Sequence, residues 1–145
     1  MEIRGTYDDV NLILRLYDLR REEKLRKARD WFAKNFKVRT LDEFRKLCPP
    51  GSEENAYYRM VVTYWEMVAS FITNGVLNQQ LFFQSGREIL FVWERVRDLI
   101  PLVREAEKDP TAYSNLEKVS VAFISWMNSR APEAYGAFSA RVRGA

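Results

Sequence analysis

Apolar residues recur along most of this chain at the spacing of an α-helix, and the breaks between these segments carry residues that begin or end helices. The segment RMVVTYWEMVASFITNG, Arg59 to Gly75, is nearly all apolar. Candidate N-caps are Thr6, Thr40 and Ser52, each followed by acidic residues in the expected first turn. No segment shows the sustained alternation of a strand, so the pattern predicts an all-α fold without a sheet.

The helix breaks predict a single-domain helical bundle of five or six helices over residues 1–145. The expected helices span 7–36 as one helix or two, 40–47, 52–74, 78–107 with breaks near residues 85 and 101, 111–130, and a short C-terminal helix at 132–142. We expect residues 1–50 to form a basic helical region that packs on a core formed by residues 52–130.

The composition supports a globular domain with a substantial core. The chain has 145 residues, of which 47% are hydrophobic and 30% are charged. The charge is uneven, because residues 1–50 hold thirteen basic and nine acidic side chains, a net charge of +4, whereas the remainder has a net charge of −1. The N-terminal third is therefore basic, and the remainder of the chain is close to neutral.

The residue types that are missing exclude several chemistries. There is no histidine, which removes the usual general base near neutral pH, His-dependent catalytic triads and most zinc sites. The single cysteine, Cys48, cannot form an intrachain disulfide, and we interpret it as a small apolar residue at a helix end. We predict no catalytic residue, metal or cofactor, and the pattern favours a non-catalytic role without deciding whether the chain is an enzyme.

The sequence favours a cytoplasmic protein without a membrane span. No signal-peptide pattern opens the chain, and a lone cysteine suits a reducing compartment. Residues 67–86 carry no charge and would be long enough to cross a bilayer, but asparagine, glutamine and glycine interrupt them. We therefore expect a buried helix, a turn and a second helix in this stretch.

The basic segment Arg20 to Arg39 interleaves aromatic and cationic side chains, as segments that bind nucleic acid or acidic partners do. Its acidic residues favour a different interpretation, a solvated face above a buried aromatic stripe. We expect Glu22 to pair with Arg26, and Glu23 to pair with Lys27, each one helical turn later. Binding of nucleic acid or of an acidic partner through Arg20 to Arg39 stays open as the weaker hypothesis.

Glu66 lies in the middle of the most apolar helix, on a narrow stripe of short polar residues. It can face water, form a structural ion pair, or act as a functional acid, base or ligand-binding group. We predict that Glu66 is at least partly buried and held by an arginine of the next long helix, Arg95 or Arg97, with Arg104 next, because a guanidinium donates two parallel hydrogen bonds to a carboxylate. An interhelix pocket at these four residues is the alternative, and it would make the protein a small-ligand binder or an enzyme.

The uncharged stretch VLNQQLFF, residues 76–83, predicts self-association. Its apolar side chains are Leu77, Leu81, Phe82 and Phe83. Interface centres favour aromatic residues and lack charge, so we predict a homo-oligomer that uses these four side chains, and a further protein partner is compatible with the same role. The alternative is that they complete the core of the monomer.

A pattern of motif positions begins in the segment TYWEMVASFITNGVLNQQLF, Thr63 to Phe82. It consists of a Glu, an Ala three residues later and a turn that contains glycine. A Trp and two arginines follow in the next helix. These positions are Glu66, Ala69, Gly75, Trp93, Arg97 and Arg104. Over roughly residues 57–127 the chain resembles a bacterial all-helical family catalogued only as a domain of unknown function. The resemblance implies an all-α fold and no particular activity, which leaves a non-catalytic, self-associating interaction or regulatory module as the leading hypothesis.

Overall fold

The computed structural model describes residues 4–144, and over that part the chain contains nine α-helices and no strand. The helices are α1 Tyr7–Arg20, α2 Glu23–Asn35, α3 Leu41–Leu47, α4 Glu53–Thr73, α5 Gln79–Phe83, α6 Arg87–Val96, α7 Ile100–Glu107, α8 Ser114–Arg130 and α9 Ala134–Gly144. The predicted all-α fold is confirmed, whereas the predicted number of five or six helices is wrong.

The count is higher mainly because the segment over residues 78–107 forms three helices. A Cβ atom on Gly86 would lie 2.5 Å from the ring of Phe82, so the chain needs glycine where α5 ends and α6 begins. Pro101 is at the start of α7 and has no backbone N–H to continue the preceding helix. The chain tightens before it, and the Leu99 N–H donates to the Val96 carbonyl at 2.8 Å.

The helix ends that local sequence signals predicted are confirmed. The side chains of Thr6, Thr40 and Ser52 each accept a hydrogen bond from the backbone N–H three residues later, at the N-termini of α1, α3 and α4. Gly75 follows α4 with a φ of 75°, a conformation that glycine adopts without a steric cost. These contacts are local in sequence, which is why the sequence predicts them.

Helix α4 forms the centre of the bundle, with α2 packed on one part of its surface and α8 on another. Helix α6 contacts α4, α8 and α9, while α1 packs against α2. Val62, Val68 and Ala69 of α4 are fully buried between these neighbours. No helix in residues 4–144 combines the length and the apolar character needed to cross a bilayer.

Candidate functional site

Glu66 supplies the N-terminal cap that α8 lacks. Its carboxylate accepts hydrogen bonds from the backbone N–H of Leu116 and the side-chain amide of Asn115, both at 2.8 Å. The residue before α8, Tyr113, has a left-handed conformation and offers no side-chain cap. A carboxylate at this position satisfies unpaired N–H groups and interacts favourably with the helix dipole.

Glu66 is half-buried, which confirms that part of the prediction. The prediction that an arginine of the following helices holds it is wrong, since its partners are the N-terminal groups of α8. The N-terminus of α8 provides the hydrogen-bond donors and the partial positive charge that we expected a guanidinium to supply. This cap depends on how α4 and α8 pack, so no local pattern in the sequence signals it.

Arg95 caps the C-terminal ends of two helices. Its guanidinium, on a residue that is only 9% exposed, donates to the carbonyls of Ala33 and Phe36 at the end of α2, at 3.2 and 2.9 Å. It also donates to the carbonyl of Val142 in α9 at 3.2 Å and lies over the ring of Phe91. Burial lowers the pKa of Arg95 from its usual value, and the negative ends of the two helix dipoles favour its positive charge.

The other two predicted arginines lie in separate places. Arg97 is 3.1 Å from the carboxylate of Glu94, whereas Arg104 donates to Glu117 at 2.9 Å. The structure does not bring either of them, or Arg95, to Glu66. The structure therefore does not assemble the predicted ligand site at Glu66, Arg95, Arg97 and Arg104. Arg95 binds the ends of α2 and α9, Arg97 pairs with Glu94 of α6, and Arg104 pairs with Glu117 of α8.

Three of the four predicted interface residues belong to the core of the chain itself. Leu77, Phe82 and Phe83 are at most 4% exposed, and Leu81 is half-buried. The ring of Phe83 packs 4.4 Å from that of Phe123 in α8. Three of the four side chains are thus buried within one copy of the chain, as the alternative interpretation expected, while self-association itself stays a prediction.

Cys48 is buried at the end of α3 with 1% of its surface exposed. Burial raises the pKa of its thiol to about 11, so the thiol is protonated near neutral pH and is a poor nucleophile.

A cavity of about 500 Å³ opens between α2, α6 and α9, with one residue of α4 at its base. Its floor is apolar, and is formed mainly by Phe32, Val61, Phe91, Val92 and Phe138. Phe32, Val61 and Val92 are each 1% exposed, so the floor is part of the rigid core. Ligand pockets in proteins have this size and this apolar lining.

The rim of the cavity carries two acidic side chains, and both are already paired. Arg29 donates two hydrogen bonds to the carboxylate of Glu88, at 2.7 and 2.6 Å, and this contact joins α2 to α6. The same bonds raise the pKa of Arg29 above its usual value. Lys34 lies 3.0 Å from the other acid, Asp30. Both rim carboxylates are therefore largely neutralised.

Two further arginines at the rim have no acidic partner in the part of the chain that the structure describes. Arg26 and Arg87 line the cavity, and neither forms an ion pair within residues 4–144. Arg87 lies near the ring of Phe138, at 5.9 Å from its centroid. The cavity thus combines an apolar floor with two exposed, uncompensated cations, which is the arrangement that recognises an anion with an apolar body.

The sequence interpretation missed this site because it gave Arg26 a partner. The predicted pair of Glu22 with Arg26 is wrong, since the Glu22 carboxylate accepts from the Leu25 N–H and caps α2. The neighbouring pair is also wrong, because Lys27 lies near Glu53 instead, at 3.9 Å. Glu22 directly precedes α2, and this position could have indicated that its side chain caps the helix. A carboxylate that caps the helix is less available for an i,i+4 ion pair.

The aromatic stripe predicted for the basic segment is confirmed, with Phe32 and Phe36 buried beneath the cations of α2. The lining of the cavity lacks a Ser, Thr, Cys or Lys that could act as a nucleophile. In the part of the chain that the structure describes, no three Cys, Asp or Glu side chains converge as a metal site would require. The arrangement supports binding, and it holds no recognisable set of catalytic groups.

The sequence profile of a protein family, a domain of unknown function (DUF4760), matches residues 6–123. The match covers most of the chain, so the chain belongs to this family, which confirms the resemblance seen in the sequence. No curated protein and no solved structure is detectably similar to it.

Proposed function

We propose that this member of the DUF4760 family is a non-catalytic binding module whose cavity between α2, α6 and α9 takes a carboxylate-bearing ligand with an apolar body. The observation that carries the proposal is the pair Arg26 and Arg87, two cations that have no acidic partner among the described residues and lie above an apolar floor. The proposal includes a cytoplasmic location, which the sequence favours.

Each half of the cavity supports a different part of such a ligand. The apolar body would displace water from the floor, mainly from the half-buried ring of Phe91, which gains roughly 25 cal/mol for each Å² of apolar surface buried. The carboxylate would accept hydrogen bonds from a guanidinium fork at the rim. Arg29 would contribute less than its neighbours, because Glu88 already occupies its donors.

The first test uses naphthoate, an aromatic carboxylate, and its uncharged counterpart naphthalenemethanol. Binding is followed by the broadening of the NMR lines of each probe as protein is added. We expect naphthoate to bind with a Kd on the order of 1 mM, as a ligand of this size would, and the alcohol to bind several times more weakly.

The matched variants change one arginine each. Arg26→Gln and Arg87→Gln should each weaken naphthoate binding about fivefold, the effect of losing one partly exposed charge contact. Arg15→Gln makes the same charge change on an exposed residue of α1 that lines none of the cavities described here, and it should have no effect. Equal binding of acid and alcohol, or equal effects of all three variants, would contradict the proposal.

A separate observation keeps self-association as a second proposal. One face of α1 exposes four apolar residues at the alternating spacing of three and four that paired helices use: Tyr7, Val10, Leu14 and Tyr17. Tyr7 is 79% exposed and Leu14 is 56% exposed. The occupant we propose is α1 of a second copy, because the adjoining polar face carries both Asp8 and Arg15 and so does not repel its own kind.

Light scattering over a range of micromolar concentrations tests this second proposal. The wild type should approach the mass of a dimer as concentration rises, and Leu14→Glu should remain monomeric. Val121→Glu is the control, because Val121 on α8 is exposed to the same extent, 56%, but lies outside the α1 stripe. A monomeric wild type at every concentration would remove the proposal.

A further inference from the structure

A second groove, of about 730 Å³, adjoins the first cavity where α5 and α6 face the end of α8 and the start of α9. Arg87 lines both, so its side chain stands at the boundary between them. On α9, Ala134 lines the second groove and Phe138 lines the first cavity. These two residues are one helical turn apart on the same face, so the two depressions follow each other along α9.

The second groove repeats the chemistry of the first. Arg130, exposed at the end of α8, lines it and has no acidic partner within residues 4–144. Apolar surface comes from Trp126 and Met127, and polar groups come from Gln84 and Ser85 in the turn before α6. The first cavity and the second groove together form one path along α9. Three arginines without an acidic partner in residues 4–144 line this path, and apolar side chains line both of its halves.

We propose that the ligand of this path is an acidic peptide segment of a partner protein, with one apolar side chain in each depression and carboxylates at Arg26, Arg87 and Arg130. This inference rests on the proposed function and names its ligand class. Together the two depressions exceed the space that one small ligand fills, whereas an extended peptide spans both. The side chains of Gln84 and Ser85 offer hydrogen bonds to a peptide backbone in the second groove.

The aromatic rings along the path favour a peptide over single-stranded nucleic acid. The guanidinium of Arg130 lies over the ring of Trp126, at 4.3 Å from its centroid. Arg87 and Arg141 both lie near the ring of Phe138, at 5.9 Å. Proteins that bind single strands present open aromatic faces to successive bases, but here guanidinium groups occupy those faces. The donors of the guanidinium edges remain available to carboxylates.

The test uses fluorescein-labelled peptides in which glutamate or aspartate alternates with leucine and phenylalanine, and the same peptides with lysine in place of each acid. Fluorescence anisotropy reports binding to the full chain. We expect the acidic peptides to bind at least tenfold more tightly than naphthoate, the lysine peptides not to bind, and added salt to weaken the complex.

Arg130→Gln separates this inference from the proposed function. It should weaken peptide binding about fivefold and leave the binding of naphthoate in the first cavity unchanged, because Arg130 does not line that cavity. Arg26→Gln and Arg87→Gln should weaken both ligands, and Arg15→Gln neither.

Three outcomes would overturn the inference. If Arg130→Gln leaves peptide binding unchanged while naphthoate still binds, the second groove is not part of the site and the proposed function stands alone. If labelled oligothymidylate binds more tightly than the acidic peptides, the path serves nucleic acid. If naphthoate does not bind at all, the proposed function fails and the inference fails with it.

Discussion

Glu66 and Asp9 are carboxylates that the fold uses to connect helices distant in sequence. Glu66 of α4 caps α8, and Asp9 of α1 accepts from the backbone N–H of Asn78 at 2.9 Å, just before α5. Asp9 also accepts from the backbone N–H and the hydroxyl of Thr6, at 2.7 and 2.9 Å. Each carboxylate satisfies backbone donors that would otherwise lose a partner, so each should contribute measurably to stability.

Replacing Glu66 by alanine should lower the free energy of unfolding by about 1 kcal/mol, the usual effect of losing an N-cap. Glu66→Gln should cost less, because the amide oxygen still accepts one hydrogen bond. Urea denaturation measures both. Glu105→Ala, at an exposed position of α7, is the control. If Glu66→Ala and Glu105→Ala have equal effects, Glu66 does not cap α8 in solution.

Asp9 should make stability depend on acid pH. The N–H donors of Asn78 and Thr6 hold the pKa of Asp9 below its ordinary value of 3.8. A carboxylate with a lowered pKa in the folded state stabilises the fold above its unfolded pKa, and this contribution is lost as pH falls through the folded pKa. The advantage of the wild type over Asp9→Asn should therefore be constant above about pH 5 and shrink below about pH 4.

Urea denaturation at a series of pH values measures that advantage. Asp8→Asn is the matched control, since Asp8 is exposed beside Asp9 and makes no such hydrogen bonds to residues 4–144. An advantage of wild type over Asp9→Asn that stays unchanged into strong acid would show that the carboxylate form of Asp9 is not what the fold stabilises.

At the scale of the helices, Arg95 links the C-terminal ends of α2 and α9 to α6. Arg95→Met keeps the apolar contact with Phe91 but leaves the carbonyls of Ala33, Phe36 and Val142 without this donor. We expect a loss of on the order of 2 kcal/mol, with Arg15→Met as the exposed control.

Hydrogen exchange locates the effect of Arg95→Met. Amides in the last turns of α2 and α9 should exchange faster than in the wild type, while α8 keeps its protection. If protection falls evenly over the whole chain, or only within α6, Arg95 is not acting as a cap shared by two helices.

The sequence predicts those features that depend on neighbouring residues. Thr6, Thr40 and Ser52 begin helices through contacts three residues away, and Pro101 lies in the first turn of α7, where a backbone N–H is not needed. The partner of Glu66 lies fifty residues along the chain, and its position depends on how α4 and α8 pack. A single sequence reports residue spacing within a helix, but it does not report which helix faces which.

At the scale of the whole molecule, the cavity exists only when three helices from the start, middle and end of the chain meet. Phe32 of α2, Phe91 of α6 and Phe138 of α9 contribute to one floor. No pattern within any one of these helices predicts the cavity. The cations at its rim were visible in the sequence, but their lack of acidic partners follows only from the positions of Glu22, Asp30 and Glu88 in the fold.

A ligand held by all three helices should stabilise the folded chain, because it binds the native state and not the unfolded one. In saturating naphthoate the melting temperature of the wild type should rise, while that of Arg87→Gln should rise less. Naphthalenemethanol at equal concentration is the control for non-specific effects. A rise of equal size in both proteins would place the ligand outside the arginine rim.

The central claim is that an anion with an apolar body binds between α2, α6 and α9, and amide chemical-shift mapping tests it most directly. When naphthoate is added to isotope-labelled protein, we predict that the shifts cluster at residues 26–33, 87–92 and around Phe138, with the Arg26 and Arg87 side-chain N–H signals among them. The amides near Arg15 on α1 should not move. Shifts that are absent, or that concentrate on α1, would contradict the account.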